Sequence, residues 1–597
     1  MKIKLIGLTL SSIIAISNAK QYYFNAVSIN DPSYTLGVKV NGQVINLTSK
    51  YFPLFTGVVN TDNVNKYKYV LIEGNGNVVE EEKFERIYSD ETAKLNEVYN
   101  RINKKIEIPK LPEPLGNDFP MGSEKFQPFP KNEIYNVFAN CDEAQYDDRK
   151  NFPFFSNRER NDEPVNCTIT IVSSKNVFQS PGSIHLSGFG SRLYKKLSWV
   201  MKFNNKFMGR SSVKIRGVAN DASLMRDKLS ADLYRAMGVP VQEGTYARVI
   251  INNDVWGLYT FVDSHNKKWY ANYIHGDNKS HIGTSYKIVS SHPNGPFADL
   301  KYKGDNADTY ASSGTYDVDE IDSHDSEVNI NESGSEWNRL VKFVKLFDEW
   351  EKKYKNDTSD ASFDALNNFL DVEQTLRMMS IDALTVALDN FWFVQSNTLI
   401  YYNPEVNKYQ FIPYDFDESL KGHCHYFDFD AIKGDCLTWA DVDTNGSDHY
   451  FTKAILAHPQ VKNRYRAVLA GASRFLFTVE AVTPYIDAVS ELIKEDVEWN
   501  FSLAKNYNST YDGIVNYYTI QHFNDAANFG KVSYEKNVVE NSIAYGLKRF
   551  IQIRGDGCRA YTRNVPTKDI QTSSSFNNNT KATILFILIQ AIIYLIF

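Results

Sequence analysis

Asp389, Asn397, Asp415 and Asp417 are oxygen-bearing side chains at the two ends of one segment, DNFWFVQSNTLIYYNPEVNKYQFIPYDFD. TLIYYN and KYQFIPY are short, aromatic and β-branched, and Asn403-Pro404-Glu405-Val406-Asn407 between them is turn chemistry. A hairpin of this kind returns the chain to its start. Asp389 and Asn397 then enter where Asp415 and Asp417 leave. Three carboxylates and an amide brought together repel unless a cation sits between them. Hard oxygen ligands with room for water suit Mg2+ held with phosphates, and one carboxylate could orient a hydroxyl nucleophile in phosphoryl transfer. The same acids also read as solvated strand edges and helix caps.

Context favours the chemical reading. The segment resembles the spore-coat CotH kinase-like family through Asp389-Asn390-Phe391, Asn397 and Pro413-Tyr414-Asp415-Phe416-Asp417. Tyr414 stands where the family pattern usually has Trp. The resemblance extends over residues 130–560. It implies an α+β chain with an atypical protein-kinase-like, two-lobed domain. Asp389 would act on the acceptor hydroxyl, Asn397, Asp415 and Asp417 would hold metal, and Mg2+ and ATP would be the cofactors.

The elements that must position these groups can be read along the chain. Residues 20–105 look all-β, with Asn41-Gly42 and Gly74-Asn75-Gly76 as hairpin turns. They predict a small sandwich-like module over 20–105, and EEEKFER (80–86) resembles the typical exit of the family's leading module. Residues 106–130 are Pro-rich and read as a semi-rigid linker. Residues 131–265 read as a small lobe of strands with one helix. In it, Gly188-Phe189-Gly190-Ser191 is either a phosphate-approaching turn or an ordinary hairpin turn. Lys195, Lys196 and Lys202 follow, and Lys202 is the candidate phosphate lysine. Met225, Leu229, Leu233 and Met237 make one helical stripe, capped by Gly238. Arg226 and Lys228 near its start resemble the family's basic positions, so the ATP-binding set is Lys202, Arg226, Lys228, Gly188 and Gly190. Trp256-Gly257-Leu258-Tyr259 belongs to a structural hairpin. Residues 266–334 are acidic and Gly/Ser-rich, and DVDEIDSHDSE within them reads as solvated insertion rather than a calcium loop. Residues 335–560 turn helical. Trp337, Leu340, Val341, Val344 and Phe347 form one face. Val372, Leu376, Met379, Ala383 and Ala387 form another, on a helix that delivers Asp389. His423-Cys424-His425 lacks further zinc ligands, and Asp441-Val-Asp443-Thr-Asn445-Gly446 opens like an EF-hand but has Thr452 at its twelfth position.

The ends locate the chain. MKIKLIGLTLSSIIAISNA (1–19) reads as a secretory signal peptide. A polar spacer (561–581) and the apolar tail ATILFILIQAIIYLIF (582–597) read as a glycosylphosphatidylinositol-anchor signal, with attachment near Ser574. Glycan acceptors N-x-S/T occur at Asn46, Asn166, Asn278, Asn331, Asn356, Asn445, Asn500, Asn508 and Asn578. Five cysteines allow two disulfides, Cys141–Cys167 and Cys424–Cys436 being the local pairings, with Cys558 open. A net charge of −7 points away from nucleic acid.

Two functions follow. The anchored fungal branch of the family resembles surface invasins that bind host-cell receptors, of chaperone or integrin type, and promote uptake. This implies a membrane-anchored, extracellular or wall-associated adhesin. The alternative is a secreted Ser/Thr kinase that uses ATP and Mg2+ on surface, spore or wall proteins.

Overall fold

A computed structural model describes residues 20–570, except 103–104, 292–293, 330, 423–428, 443–446, 534–542, 567 and 569. The stretch expected to be a signal peptide (1–19), Ser574, Asn578 and the tail lie outside the described residues, as do His423, Cys424, His425 and Asn445. Among the described residues no helix is long and apolar enough to cross a membrane.

Residues 20–101 fold as two facing sheets. One orders Thr48–Tyr51, Leu54–Thr61, Lys20–Val27 and Glu97–Val98. The other orders Gln43–Asn46, Thr35–Val40, Lys66–Ile72 and Val78–Glu81, with Arg86–Ile87 beside Lys66–Ile72. Strand alternation sends Phe24 and Ala26 from one sheet and Leu36 and Val38 from the other into a shared core. Asn41 and Gly42 take φ of 50° and 82°, as a primed hairpin turn requires. EEEKFER is not the exit: Glu82 and Arg86 are a buried ion pair inside the module.

The Pro-rich stretch is not a free linker either. Leu111 and Leu115 join the main core, Met121 and Phe126 a second cluster, and Phe129 the interior of the next domain. Its prolines stiffen the backbone, but the apolar side chains between them are what anchor it.

Strands β1 (Ile134–Cys141), β2 (Val165–Val172), β3 (Val177–Leu186), β4 (Trp199–Phe207), β5 (Arg210–Arg216), β6 (Gly244–Ile251) and β7 (Asp254–Asp263) close a barrel. The order is β1-β2-β3-β4-β5-β7-β6, with β6 returning parallel to β1. The sequence predicts a mixed small lobe here, and the chain closes its strands completely. Trp199, Met201, Val213, Ile215, Val249 and Phe261 fill the interior. Alternation therefore turns Lys202, Lys214 and Arg216 outward, on one face.

Helix α1 (Arg226–Ala236) covers part of that outer face. Its predicted stripe is buried throughout, and Gly238 ends it at φ 73°. Full burial of each Leu or Met side chain contributes about 1.5–3 kcal/mol. Helix α2 (Lys267–Tyr273) and strands β8 (Ser285–Ile288) and β9 (Tyr316–Glu320) come from the segment expected to be a solvated insertion. That expectation is corrected. Trp269, Tyr270 and Tyr273 are buried, and β8 and β9 extend a four-stranded sheet. Helices α3 (Asn338–Tyr354) and α4 (Val372–Thr385) bury the two predicted faces. The hairpin β10 (Thr398–Asn403) and β11 (Lys408–Pro413) completes the sheet in the order β9-β8-β10-β11. Helices α5 (Val479–Leu503) and α6 (Leu547–Tyr561) close the core.

Cys141 and Cys167 face each other across β1 and β2 and are bonded, as the local pairing predicts. The other disulfide is Cys436–Cys558, not Cys424–Cys436. Tertiary packing brings α6 to Cys436, a proximity that local spacing does not reveal.

Candidate functional site

The hairpin register pairs Thr398 with Pro413, so the residues just before β10 and just after β11 are neighbours. Tyr414 N–H donates to Asn397 O at 2.9 Å. Asn397 Nδ2 donates to both the carbonyl and Oδ2 of Asp389, each at 2.8 Å. Asn390 Nδ2 donates to the carbonyls of Tyr414 and Asp415, at 3.0 and 3.3 Å. The two ends of the segment are thus sewn together by amides, which puts Asp389 within electrostatic range of Asp415 and Asp417, although among the described residues no three acids here close to within 4.8 Å of one another. Helix α4 stops at Thr385, short of Asp389. Val386 turns the chain at φ 49°, and buried Asp382 accepts Trp392 N–H at 3.1 Å to hold the turn. Burial pushes the Asp382 carboxyl up to about 7.

The backbone around the site is strained. Val386, Gln395, Asn397, Asp415 and Leu420 all have positive φ between 46° and 62° without being glycine. Each such conformation costs of order 1 kcal/mol, and clusters of them mark sites that hold side chains for a task.

The cation between the acids includes one that the hairpin alone does not reveal. Arg216, at the end of β5, forms an ion pair with Asp415 and lies 3.5 Å from both Asp417 and Asp227. Asn220 Nδ2 donates to Asp417 and Glu418 at 3.4 and 3.1 Å, and Lys421 pairs with Glu418. Phe416 N–H donates to Asp227 Oδ1 at 3.0 Å, which locks the acidic exit onto α1. Burial, then the negative charges of Asp417, Asp415 and Glu418, hold the Asp389 carboxyl well above the ordinary range. Burial and the adjoining acids also raise Asp415, against the pull of Arg216. Asp417 goes the other way. Arg216 and Lys421 outweigh its burial and lower it. Lys214, two residues before Arg216 on the same face, is lowered by burial and by Arg216, while Asp415 opposes. The Asp415 and Asp417 side chains keep 35% and 28% of their surface open, so the centre is reachable.

Beside it a small cavity opens between the barrel's outer face and α1. Arg216, Asp227, Lys228, Gln242, Thr260 and Asp415 are among its lining residues. Lys228 donates to Gly244 O at 2.8 Å and lines this cavity. Arg226 does not. It is spent on the carbonyls of Leu420 and Tyr545 and on Asp221, so it clamps the chain after the acids. Gly188 takes φ 71°, and Gly190 opens a short turn at the barrel end where Arg216 also lies. Buried Arg192 ties that turn through Gly188 O at 2.7 Å. Lys202 is exposed on the same outer face, and among the described residues no hydrogen bond or ion pair joins it to the acids. Lys214 is the lysine whose charge interacts with Asp415. Lys196 is buried, donating to Leu258 O and Asn500 Oδ1 at 2.6 and 2.7 Å, and burial lowers it to about 7.

Sequence reasoning missed Arg216, Lys214, Asp227, Asn220 and Glu418. The alternating Lys214 and Arg216 in SVKIRG carried the signal of a basic strand face, and Asp227 sits between the two basic residues that were singled out. Of the glycan acceptors, Asn46, Asn166, Asn331, Asn356 and Asn508 are exposed and Asn278 is half-buried. Asn500 is corrected. It is buried in α5, where its Oδ1 accepts Lys196 and Leu258 N–H, leaving no room for a sugar.

Mg2+ fits this donor set. The oxygens are hard, the carboxylates outnumber the nearby cations, and Asp389 is raised by burial first and then by the charges of Asp417, Asp415 and Glu418. Asn390 Oδ1 is also buried without a partner. Asn397, Asp415 and Asp417 would hold the ion, with Asp389 beside it toward the acceptor and Lys214, Arg216 and Lys228 toward phosphates. When bound, such an ion neutralises charge on a transferring phosphoryl group.

Residues 184–529 match the family described as CotH kinase protein, over more than half of the chain. The chain belongs to this CotH family. Among curated relatives it is 25% identical over 529 residues to Invasin CotH3 of Rhizopus delemar, covering 86% of this chain and 81% of the relative. It is 26% identical over 523 residues to Invasin CotH2 of the same organism, covering 85% and 79%. Spore coat protein homolog 1, also from Rhizopus delemar, is 23% identical over 491 residues, covering 80% and 72%. The match to the CotH family spans the barrel strands β4–β7, α1 and the acidic hairpin, the elements that build the centre, and also α5.

Proposed function

We propose that this chain is a surface invasin of the CotH family, displayed outside the cell on a lipid anchor, that engages a host-cell receptor and promotes uptake. The supporting observation is similarity along four-fifths of both chains to proteins named invasins. The apolar tail and leader read from the sequence supply the route to the surface, and the exposed acceptors Asn46, Asn166, Asn331, Asn356 and Asn508 suit a glycosylated exterior. The test displays the full chain on a non-adherent yeast and counts uptake by host cells. Display should raise uptake, and deleting residues 582–597 should abolish it. Equal uptake with and without the displayed chain would overturn the reading.

A second reading rests on the acidic centre: an atypical kinase of two lobes, the barrel and the helical region, acting on Ser or Thr of surface proteins. Convergence of Asp389, Asn397, Asp415 and Asp417 with Arg216 and Lys214 favours it. In it Asp389 takes the acceptor hydroxyl's proton, and Lys214, Arg216 and Lys228 position phosphates. Purified full chain with radiolabelled ATP and Mg2+ should label itself or a Ser-rich acceptor. No label above an Asp389→Asn control would end this reading and leave the first intact.

A further inference from the structure

The segment 266–334 holds a second constellation that the acidic centre does not use. Strands β8 and β9 pair antiparallel, with Ser285 opposite Glu320. Just before β8 and just after β9, the two arms bring His281, Asp322 and His324 together. His281 Nε2 lies 2.7 Å from Asp322 Oδ1, and His324 Nδ1 lies 3.8 Å from the same oxygen. One ligand atom from each residue falls within 4.8 Å of the others. The imidazoles stand edge to face, with centroids 5.8 Å apart.

The three groups differ in freedom. The Asp322 side chain is 3% exposed, whereas His281 and His324 are 52% and 83% exposed. Asp322 is fixed by its own N–H to Thr284 Oγ1 at 3.1 Å, and its Oδ1 accepts His324 N–H at 2.9 Å. Among the described residues no lysine or arginine pairs with it. A buried carboxylate without a resident cation is costly unless positive charge reaches it. Here that charge can come only from what the two imidazoles hold.

Two imidazole nitrogens and a carboxylate oxygen are a borderline ligand set, which selects zinc-like ions over Mg2+ or Ca2+. Around a tetrahedral zinc, ligand atoms sit about 3.3 Å apart, given bonds of about 2.0–2.1 Å. The present spacings, from 2.7 Å to within 4.8 Å, bracket that size.

We propose that His281, Asp322 and His324 form a binding site for a zinc-class divalent transition metal, separate from the acidic centre. Three protein ligands leave the fourth position to water or to an incoming group. The bound ion would join arms 41 residues apart in the chain and restrict the loop between them. Because β8 pairs with β10, the staple would stiffen the sheet that carries the acidic hairpin.

The test strips the full chain with a chelator and titrates Zn2+ calorimetrically, with Co2+ absorption as a second readout. The wild-type chain should bind one equivalent more than the His281→Ala/His324→Ala double variant. Its Co2+ complex should show d–d bands that the double variant lacks. His324→Ala alone, whose ring is exposed and whose loss leaves the fold intact, should weaken that equivalent by at least about tenfold. Zn2+ stoichiometry and affinity identical in the wild type and the double variant, both folded by circular dichroism, would overturn the assignment.

Discussion

The chain contains two networks of arginine and carboxylate that look alike in outline and differ in balance. In the first, Asp496 on α5 accepts from Arg248 through Nε and Nη2, at 2.8 and 2.7 Å, and from Arg101 Nε at 2.8 Å. One carboxylate, 1% exposed, serves two cations, and the arginines hold its carboxyl below the usual range despite burial. This network ties the N-terminal sandwich to the barrel and the helical core. In the second, Arg216 serves Asp415, Asp417 and Asp227, with Asp389 and Glu418 close by. There the acids outnumber the cations, the backbone is strained and the surface is partly open. In the first network the single acid is fully paired, with cations in excess of it. A site leaves a charge to be supplied from outside.

Breaking the first network should have the largest effect on stability. Asp496→Ala strands two buried guanidinium groups, and unfolding in denaturant should show a loss of about 3–5 kcal/mol. A loss below about 1 kcal/mol would mean that the sandwich is not held through this contact.

The same kind of change in the unbalanced centre should go the other way for stability. Asp389→Asn removes a carboxyl that its neighbours repel, so the melting temperature should hold or rise. ATP-dependent labelling, under the kinase reading, should fall about 100- to 1,000-fold. A destabilised Asp389→Asn chain would make Asp389 an ordinary structural acid.

The acidity of the two centres sharpens the contrast. Asp389 is raised in the folded chain, so the folded state binds its proton more tightly than the unfolded state does. Its contribution to stability is therefore full below the unfolded carboxylate value and declines as pH rises through the folded value. Asp496 is lowered, so its contribution is present above the unfolded value and fades as pH falls through the folded one. Stability–pH curves of Asp389→Asn and Asp496→Asn should lose opposite slopes.

The smallest effects separate two lysines. Lys214→Ala should reduce nucleotide affinity several-fold, whereas Lys202→Ala should leave affinity unchanged and stability within about 0.5 kcal/mol. Equilibrium binding of a fluorescent nucleotide measures both, and equal losses would restore Lys202 to the site.

The contrast also shows what could be read from the chain. Asp389, Asn397, Asp415 and Asp417 were legible because one hairpin, with its own turn residues, brings them together locally. The α1 stripe and the Asn41-Gly42 turn were legible for the same reason: periodicity and turn chemistry are local. Arg216 reaches Asp415 across 199 residues, and Cys436 reaches Cys558 across 122, distances at which only packing decides the neighbour. Polar composition hid β8 and β9, because their burial comes from pairing with the hairpin sheet. Pro-richness hid Leu111, Leu115, Phe126 and Phe129, whose anchoring depends on surfaces made by later residues. Lys202 is the lysine that the sequence singles out and Lys214 goes unnoticed, because spacing alone does not say which residue on a strand face meets the acids.

The most direct trial of the unbalanced centre is calorimetric titration of the full chain with Mg2+ and a non-hydrolysable ATP analogue. One ion and one nucleotide should bind together to the wild type, and Asp415→Asn and Asp417→Asn should lose the ion. Binding that is absent from the wild type, or unchanged in both variants, would contradict a cation-requiring centre and leave Arg216 and Lys421 as the positive charge those acids need.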